Sequence, residues 1–172
     1  MLGEPPSLRG PIRPMTDISN DGAPNGAATL QIAAQYIRDL SFENPSTPGA
    51  QHSGKPVMQV AMDVQARATG ADQYEVGLRV RVDAKSGETP VYLVELLYAG
   101  LFIVKGASPE TLQPILLIEC PRILFPFARR VVADVTRDGG FMPLMLDPID
   151  FAAMFRQQMA SRAGQVAQAP QA

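Results

Sequence analysis

The sequence contains one cysteine, one histidine and no tryptophan, and each scarcity closes off a class of function. One cysteine cannot form an internal disulfide, and one Cys with one His cannot build a zinc cage from those ligands. A dominant charge is missing too: 15 Lys and Arg face 17 Asp and Glu, a net charge of −2. That balance does not suit a chain that works by neutralising nucleic-acid phosphates. No apolar run approaches the roughly 18–20 residues needed to span a membrane. The opening segment Met1–Pro14 lacks the apolar stretch of a secretory signal. What is present is 46% hydrophobic against 19% charged residues over 172 positions, enough for one domain with a real core. These bounds predict a soluble, cytosolic, single-domain protein without a disulfide or a zinc site, and no cofactor, nucleic-acid partner or membrane insertion is expected.

Composition shifts divide the chain. Residues 1–27 are rich in Pro, Gly, Asn and Asp with little to bury, which predicts a flexible N-terminal tail. Residues 163–172 carry no charged side chain and read as a second flexible tail. The folded domain is expected over residues 28–162.

Within that domain the clearest signal has period two. From Tyr74 to Ala84 every even position is apolar, opposed by Glu75, Gly77, Arg79, Arg81 and Asp83, the pattern of a strand with one dry face. Val57 to Ala68 alternates likewise, with Met58, Val60, Met62 and Val64 facing away from Gln59, Asp63, Gln65 and Arg67. The turn residues Gly70–Gln73 between these runs predict an antiparallel hairpin. After a second turn at Lys85–Glu88, Val91 to Val104 is apolar on both faces apart from Glu95, so both faces should be covered. Gln31 to Glu43 reads as a fourth strand. It places Ile37, Asp39, Ser41 and Glu43 on one side and Leu40 and Phe42 on the other, although Leu30–Ile37 also fits a short helix.

Beyond Gly106 the period changes. Ser108-Pro109-Glu110 forms an N-cap, a proline at the first helical position and an acid in the first turn. The helical pattern runs to Arg137 and stops at Gly139-Gly140, with a kink or break expected at Pro121 and Pro126. A proline-bearing loop, Phe141–Pro148, leads to a last helix from about Asp150, capped by Asp150 and stapled by Ile149 and Met154. The fold class is therefore α+β: a four-stranded antiparallel sheet, a long proline-interrupted helix and a shorter C-terminal helix.

No catalytic constellation accompanies this fold. His52 lies in a loop with nothing evident to hold it beside a nucleophile. Cys120, within an apolar helical stretch, reads as a small buried hydrophobe without the cationic neighbours of a reactive thiol. Gly49 to Lys55 matches a phosphate-loop spacing, but Pro56 replaces the magnesium-binding Ser or Thr and an alternating strand follows. Asp39, Glu43 and Glu95 are either solvated acids or an acidic patch that docks a basic partner. The methionines, eight in all, either pack the core or line a deformable groove; Met58, Met62, Met154 and Met159 are the candidates.

The stretch Tyr36-Ile-Arg-Asp-Leu-Ser-Phe-Glu-Asn-Pro45 resembles the opening-strand motif of the SecB family of export chaperones. Further matches follow in order: Tyr74–Val80, Val94–Leu96 with Ala99–Phe102, Cys120-Pro-Arg-Ile-Leu-Phe-Pro-Phe-Ala-Arg129 and Gly140–Phe151. The resemblance spans about Thr29 to Met159. It implies an ATP-independent chaperone, not an enzyme, that holds unfolded precursor proteins and delivers them to the SecA ATPase motor. It also implies a homotetramer, a dimer of dimers, with the long helix between the dimers. Carried over residue by residue, the SecA contacts fall on Asp39, Glu43 and Glu95. The client surface falls on Met58, Val60, Met62, Phe155 and Met159. Gly54 stands where an aromatic residue flanks the groove in familiar members, which implies a weaker apolar contact from the crossover loop. The C-terminal tail lacks the acids of some members, which puts a second, tail-mediated SecA contact in doubt. Two rival readings are a holdase of the same fold serving another partner, such as a toxin–antitoxin system, and a small-ligand-binding α+β enzyme.

Overall fold

A computed structural model of the chain describes residues 28–45 and 55–167. The alternating runs are four strands: β1 (Thr29–Glu43), β2 (Val57–Gly70), β3 (Gln73–Ser86) and β4 (Thr89–Lys105). All neighbours pair antiparallel, in the order β1-β4-β3-β2. β2 and β3 form the expected hairpin around Ala71 and Asp72. Asp72 takes the turn's left-handed position at φ 56°, which Asp tolerates better than most residues because its short carboxylate bonds locally.

The order explains why β4 is apolar on both faces. β4 and β3 are the inner strands, and their even positions from Val76 to Ala84 and from Tyr92 to Val104 form the buried core. The odd positions of β4 face the other way. Leu93, Leu97, Leu101 and Ile103 are half-buried among the polar side chains of that outer face.

β1 departs from simple alternation. Leu30–Ile37 is strand throughout, not helix. Register shifts fall between Ile32 and Ala34 and between Ile37 and Asp39. The second makes Arg38 an extra residue, and a bulge of this kind reverses the side on which the preceding residues point. Ile37 therefore pairs with Tyr98 on the core side, whereas Asp39 pairs with Leu97 on the outer side. The expectation that Ile37 shares a face with Asp39 is thus corrected.

The helical part begins as the capping pattern predicts. Ser108 caps α1 (Pro109–Pro114), its hydroxyl accepting from the Thr111 N–H. A π-helical turn, Ile115–Glu119, then leads directly into α2 (Cys120–Asp138). Pro121 has no N–H to offer the carbonyl four residues back. The wider winding just before it, with the Cys120 N–H on the Ile115 carbonyl, accommodates that loss. At Pro121 the expected interruption is consequently a change of winding, not a break, and at Pro126 α2 runs on without one. Gly139 caps α2, and Gly140 turns the chain at φ 89°.

α2 packs on β3 and β4. Leu124, Ala128 and Val132 are fully buried, and each of the two larger side chains stabilises by about 1.5–3 kcal/mol. The contact is close because β4 has no side chain at Gly100. A Cβ there would lie 2.8 Å from Leu124 Cδ2 and 2.7 Å from Phe102 Cε2. The last helix, α3 (Phe151–Ala167), is capped by Asp150, whose carboxylate accepts from the Ala153 N–H at 2.9 Å. That bond is the first cause holding the Asp150 carboxyl below the usual carboxylate range. α3 continues past Arg162, where the composition set the start of a tail.

Candidate functional site

The sheet divides the candidate residues between its two faces. On the core side, β2 runs along the sheet edge; Val64 in its second half is buried, whereas the apolar positions of its first half stay accessible. Met58 is 40% and Val60 45% exposed. Opposite them lies the segment after α2. Leu144, Met145, Leu146, Ile149 and Met154 close a groove of about 490 Å³ with Met58, Val60 and Met62.

Two local features hold this groove open. Phe42, Tyr92 and Phe141 cluster, the last two with ring centroids 4.8 Å apart, and fasten the start of the segment to the sheet. Tyr92 also donates its hydroxyl to Met58 Sδ at 3.4 Å, and burial raises its phenol above the ordinary value. Farther along, the buried Thr136 hydroxyl accepts from the Leu144 N–H at 3.0 Å. One loop N–H is thereby satisfied without a regular element, and Leu144, Met145 and Leu146 face β2 across the groove.

Of the five apolar residues implied as the client surface, the structure gathers Met58, Val60 and Met62. Phe155, half-buried, and Met159, 42% exposed, lie on α3 and do not line this groove. Leu144, Met145, Leu146 and Ile149 line it without having been singled out. Their signal was present: between Gly140 and Asp147 the chain carries no charge and five apolar side chains, an unusual composition for an exposed connection.

The acids lie on the outer face. Ser41 pairs directly with Glu95, and Asp39 and Glu43 flank Ser41 at the next outward positions of β1. Ordinary sheet geometry puts such diagonal neighbours about 7–8 Å apart. Glu95 is ion-paired with Arg81, while Asp39 and Glu43 are exposed and have no salt-bridge partner among the described residues. All three acids therefore share one surface, on the face opposite the groove.

The remaining candidates carry no chemistry in this setting. Cys120 is fully buried, and burial, with the adjacent Glu119 carboxylate, pushes its thiol up to about 12. His52, Gly54 and both tails, apart from the helical residues before 168, lie outside the described residues. Lys55 and Pro56 lead into β2 and not into a helix, which removes the helix N-terminus that a phosphate loop needs. Among the described residues no group of three or more His, Cys, Asp or Glu is placed to hold a metal. Nor is any described helix long and apolar enough to cross a membrane.

Comparison with known proteins bears on this arrangement at three levels. Residues 23–162 match the family model described as preprotein translocase subunit SecB. The protein-export protein SecB of Maricaulis maris is 52% identical over 154 residues, covering 87% of this chain and 90% of that protein. The protein of the same name from Rhodopseudomonas palustris is 45% identical over 152 residues, covering 86% and 96%. Among solved structures, a SecB-like chaperone of Mycobacterium tuberculosis in complex with an antitoxin peptide superposes with a TM-score of 0.60. It shares 17% identity, over 70% of this chain and 90% of that one, and so speaks to the fold alone. With the motifs in order along the sheet and the helices, and relatives this close over most of its length, the chain belongs to the SecB family, a family of protein-export chaperones and not of enzymes.

Proposed function

We propose that the protein holds unfolded precursor polypeptides in the β2 groove and passes them to the SecA motor, docked on the patch of Asp39, Glu43 and Glu95. It does so in the cytoplasm, without nucleotide, as a homotetramer. The observation that carries this reading is the open apolar groove beside β2. Its methionines, Met58, Met62, Met145 and Met154, are unbranched thioethers that adapt to many apolar side chains. An unfolded client offers many short apolar segments. Several weak contacts on one assembly then add through high effective concentration, which gives avidity without sequence specificity. Phe155 and Met159 on α3, which do not line the groove, take a further apolar segment of the client. The acidic patch suits a basic docking partner, whose association weakens as salt rises.

A second copy of the chain is supported by the core-side face of β1. Ile32, Ile37 and Leu40 are 42%, 47% and 38% exposed there, beyond the cover of α2. Gln35 interrupts this row between Ile32 and Ile37, and apolar surface of this kind on an edge strand is favourably buried by self-association. The antitoxin-bound neighbour raises a second reading, a holdase for another partner. The export proteins at 45% and 52% identity stand far nearer than that neighbour at 17%.

The test is dilution of a denatured, slowly folding precursor into the protein without nucleotide. Suppressed light scattering, a size-exclusion complex of one tetramer per client, and no binding of the folded client are expected. Absence of capture at micromolar protein overturns the holdase function.

A further inference from the structure

The outer face carries a second, oppositely charged feature beside the acidic patch. Gly77 leaves a hollow of about 330 Å³ in the middle of β3, roofed by Arg38, Arg67 and Arg79 and bordered by Glu75 and Leu97. The hollow exists because position 77 has no side chain; a Cβ there would stand 3.0 Å from Leu97 Cδ1. Glu75 is 8% exposed and is ion-paired with both Arg38 and Arg67, the latter at 2.7 Å. The bulge at Arg38 lets that side chain cross β4 to reach Glu75. Arg79, exposed, stands opposite Asp63 on β2 and makes no salt bridge among the described residues. Three guanidinium groups thus face two carboxylates, Glu75 and Asp63, and the hollow keeps a single excess positive charge.

We propose that this hollow is a carboxylate-binding site, filled by an acidic side chain of the polypeptide that docks on the outer face. Glu75 already fixes two of the three arginines over the hollow, so little side-chain entropy is lost when an anion arrives. Each guanidinium has five N–H donors in a planar fork that fits a carboxylate, and Glu75 occupies only some of them. Position argues for an acid supplied by a polypeptide. Arg79 and Arg81 are successive outward residues of β3, and Arg81 pairs with Glu95 of the acidic patch. The hollow and the patch therefore adjoin, about 7–13 Å apart along the strand. A uniformly basic segment is repelled at the arginine end of this face. One carrying a cation and, two to four extended residues on, an acid matches both ends.

The identity of the occupant as the docking partner rests on the proposed acidic-patch contact; anion binding itself does not. The full chain, labelled at its arginine side chains, is titrated with N-acetylglutamate α-amide, its glutamine counterpart and inorganic phosphate at constant ionic strength. Saturable shifts at Arg38, Arg67 and Arg79 are expected with the glutamate probe and not with glutamine. Binding should fall by about two- to fivefold in Arg79→Gln, the range for one exposed ion pair. Absence of saturable shifts, or phosphate binding as tight as the glutamate probe or tighter, overturns the proposal. The probe carries no cation, so it reports on the hollow alone. Failure of the acidic patch is seen separately, as unchanged binding of a basic peptide to Asp39→Asn/Glu43→Gln.

Discussion

At the scale of single residues, two buried groups, Thr136 and Cys120, bear directly on stability. Thr136 is fully buried; its hydroxyl donates to the Val132 carbonyl at 2.9 Å and accepts from the Leu144 N–H at 3.0 Å. Thr136→Val keeps the shape but leaves the Leu144 N–H without its partner. The expected loss is about 1–3 kcal/mol in urea unfolding, with Thr136→Ser losing clearly less because the hydroxyl is restored. Nothing in the sequence marks Thr136, since one polar residue within an amphipathic helix gives no hint of a partner on the following loop. Cys120, by contrast, was legible as buried from its apolar neighbours. Its thiol is raised from 9.0 to about 12, first by burial and then by the Glu119 carboxylate. A raised thiol pKa means that the folded state holds its proton over a range where the unfolded chain has lost it. The stabilisation is complete below about pH 9 and is lost as pH rises toward about 12, at up to about 1.4 kcal/mol per pH unit. The urea midpoint of the wild type should fall more steeply across that window than that of Cys120→Ala. Parallel slopes would show that the thiol titrates alike in both states.

At the scale of elements, the contacts between them depend on positions where side chains are absent. Gly100 lets α2 settle on β4, and Gly139 lets the end of α2 lie against β1. A Cβ at 139 would come within 2.2 Å of Phe42 Cζ. Gly100→Ala must push Leu124 or Phe102 out of its place in a core with no room to yield. Destabilisation of about 1–3 kcal/mol is expected. Gly139→Ala should displace the Phe42 ring and loosen its contacts with Tyr92 and Phe141, read as a fall in near-ultraviolet circular dichroism at retained helicity. Gly140→Ala meets no neighbour within 4 Å, so whatever it costs comes from the left-handed backbone alone. The comparison separates crowding from strain. The elements themselves were largely readable. β2, β3 and β4 show because one face differs from the other or because both are dry, and the Ser108 cap and Gly139-Gly140 stop bracket the helix. β1 was harder because its two register shifts break the alternation, so that Ile37 and Asp39 fall on opposite faces despite their spacing of two. The groove-lining segment after α2 was harder still. Its Leu144 N–H is satisfied by Thr136 and its start is fixed by an aromatic cluster, and neither device is periodic.

At the scale of the whole molecule, the sheet separates the two proposed activities. The acids and the arginine hollow occupy its outer face; the groove and α2 occupy the other. The acids were readable as one patch only in part. Asp39 and Glu43 share a face by their spacing of four, whereas the position of Glu95 beside Ser41 follows from the pairing of β1 with β4, which local pattern does not contain. Because strands β3 and β4 are packed tightly between the faces, a charge change on one side has no direct contact through which to reshape the other. Asp39→Asn/Glu43→Gln/Glu95→Gln should therefore weaken SecA docking by tenfold or more at low salt, as loss of about 0.5–1 kcal/mol per exposed charge allows, yet still suppress client aggregation. Val60→Asp should do the reverse. Val60 is 45% exposed, so an aspartate there keeps its hydration in the free protein and burdens only the apolar contact with a client. Both variants are measured in the same two assays, SecA binding by anisotropy and precursor capture by light scattering. If the acid variant lost capture as well, or Val60→Asp lost SecA binding, the two faces would be coupled through the assembly. The division of labour across one sheet would then give way to a conformational link between client and motor.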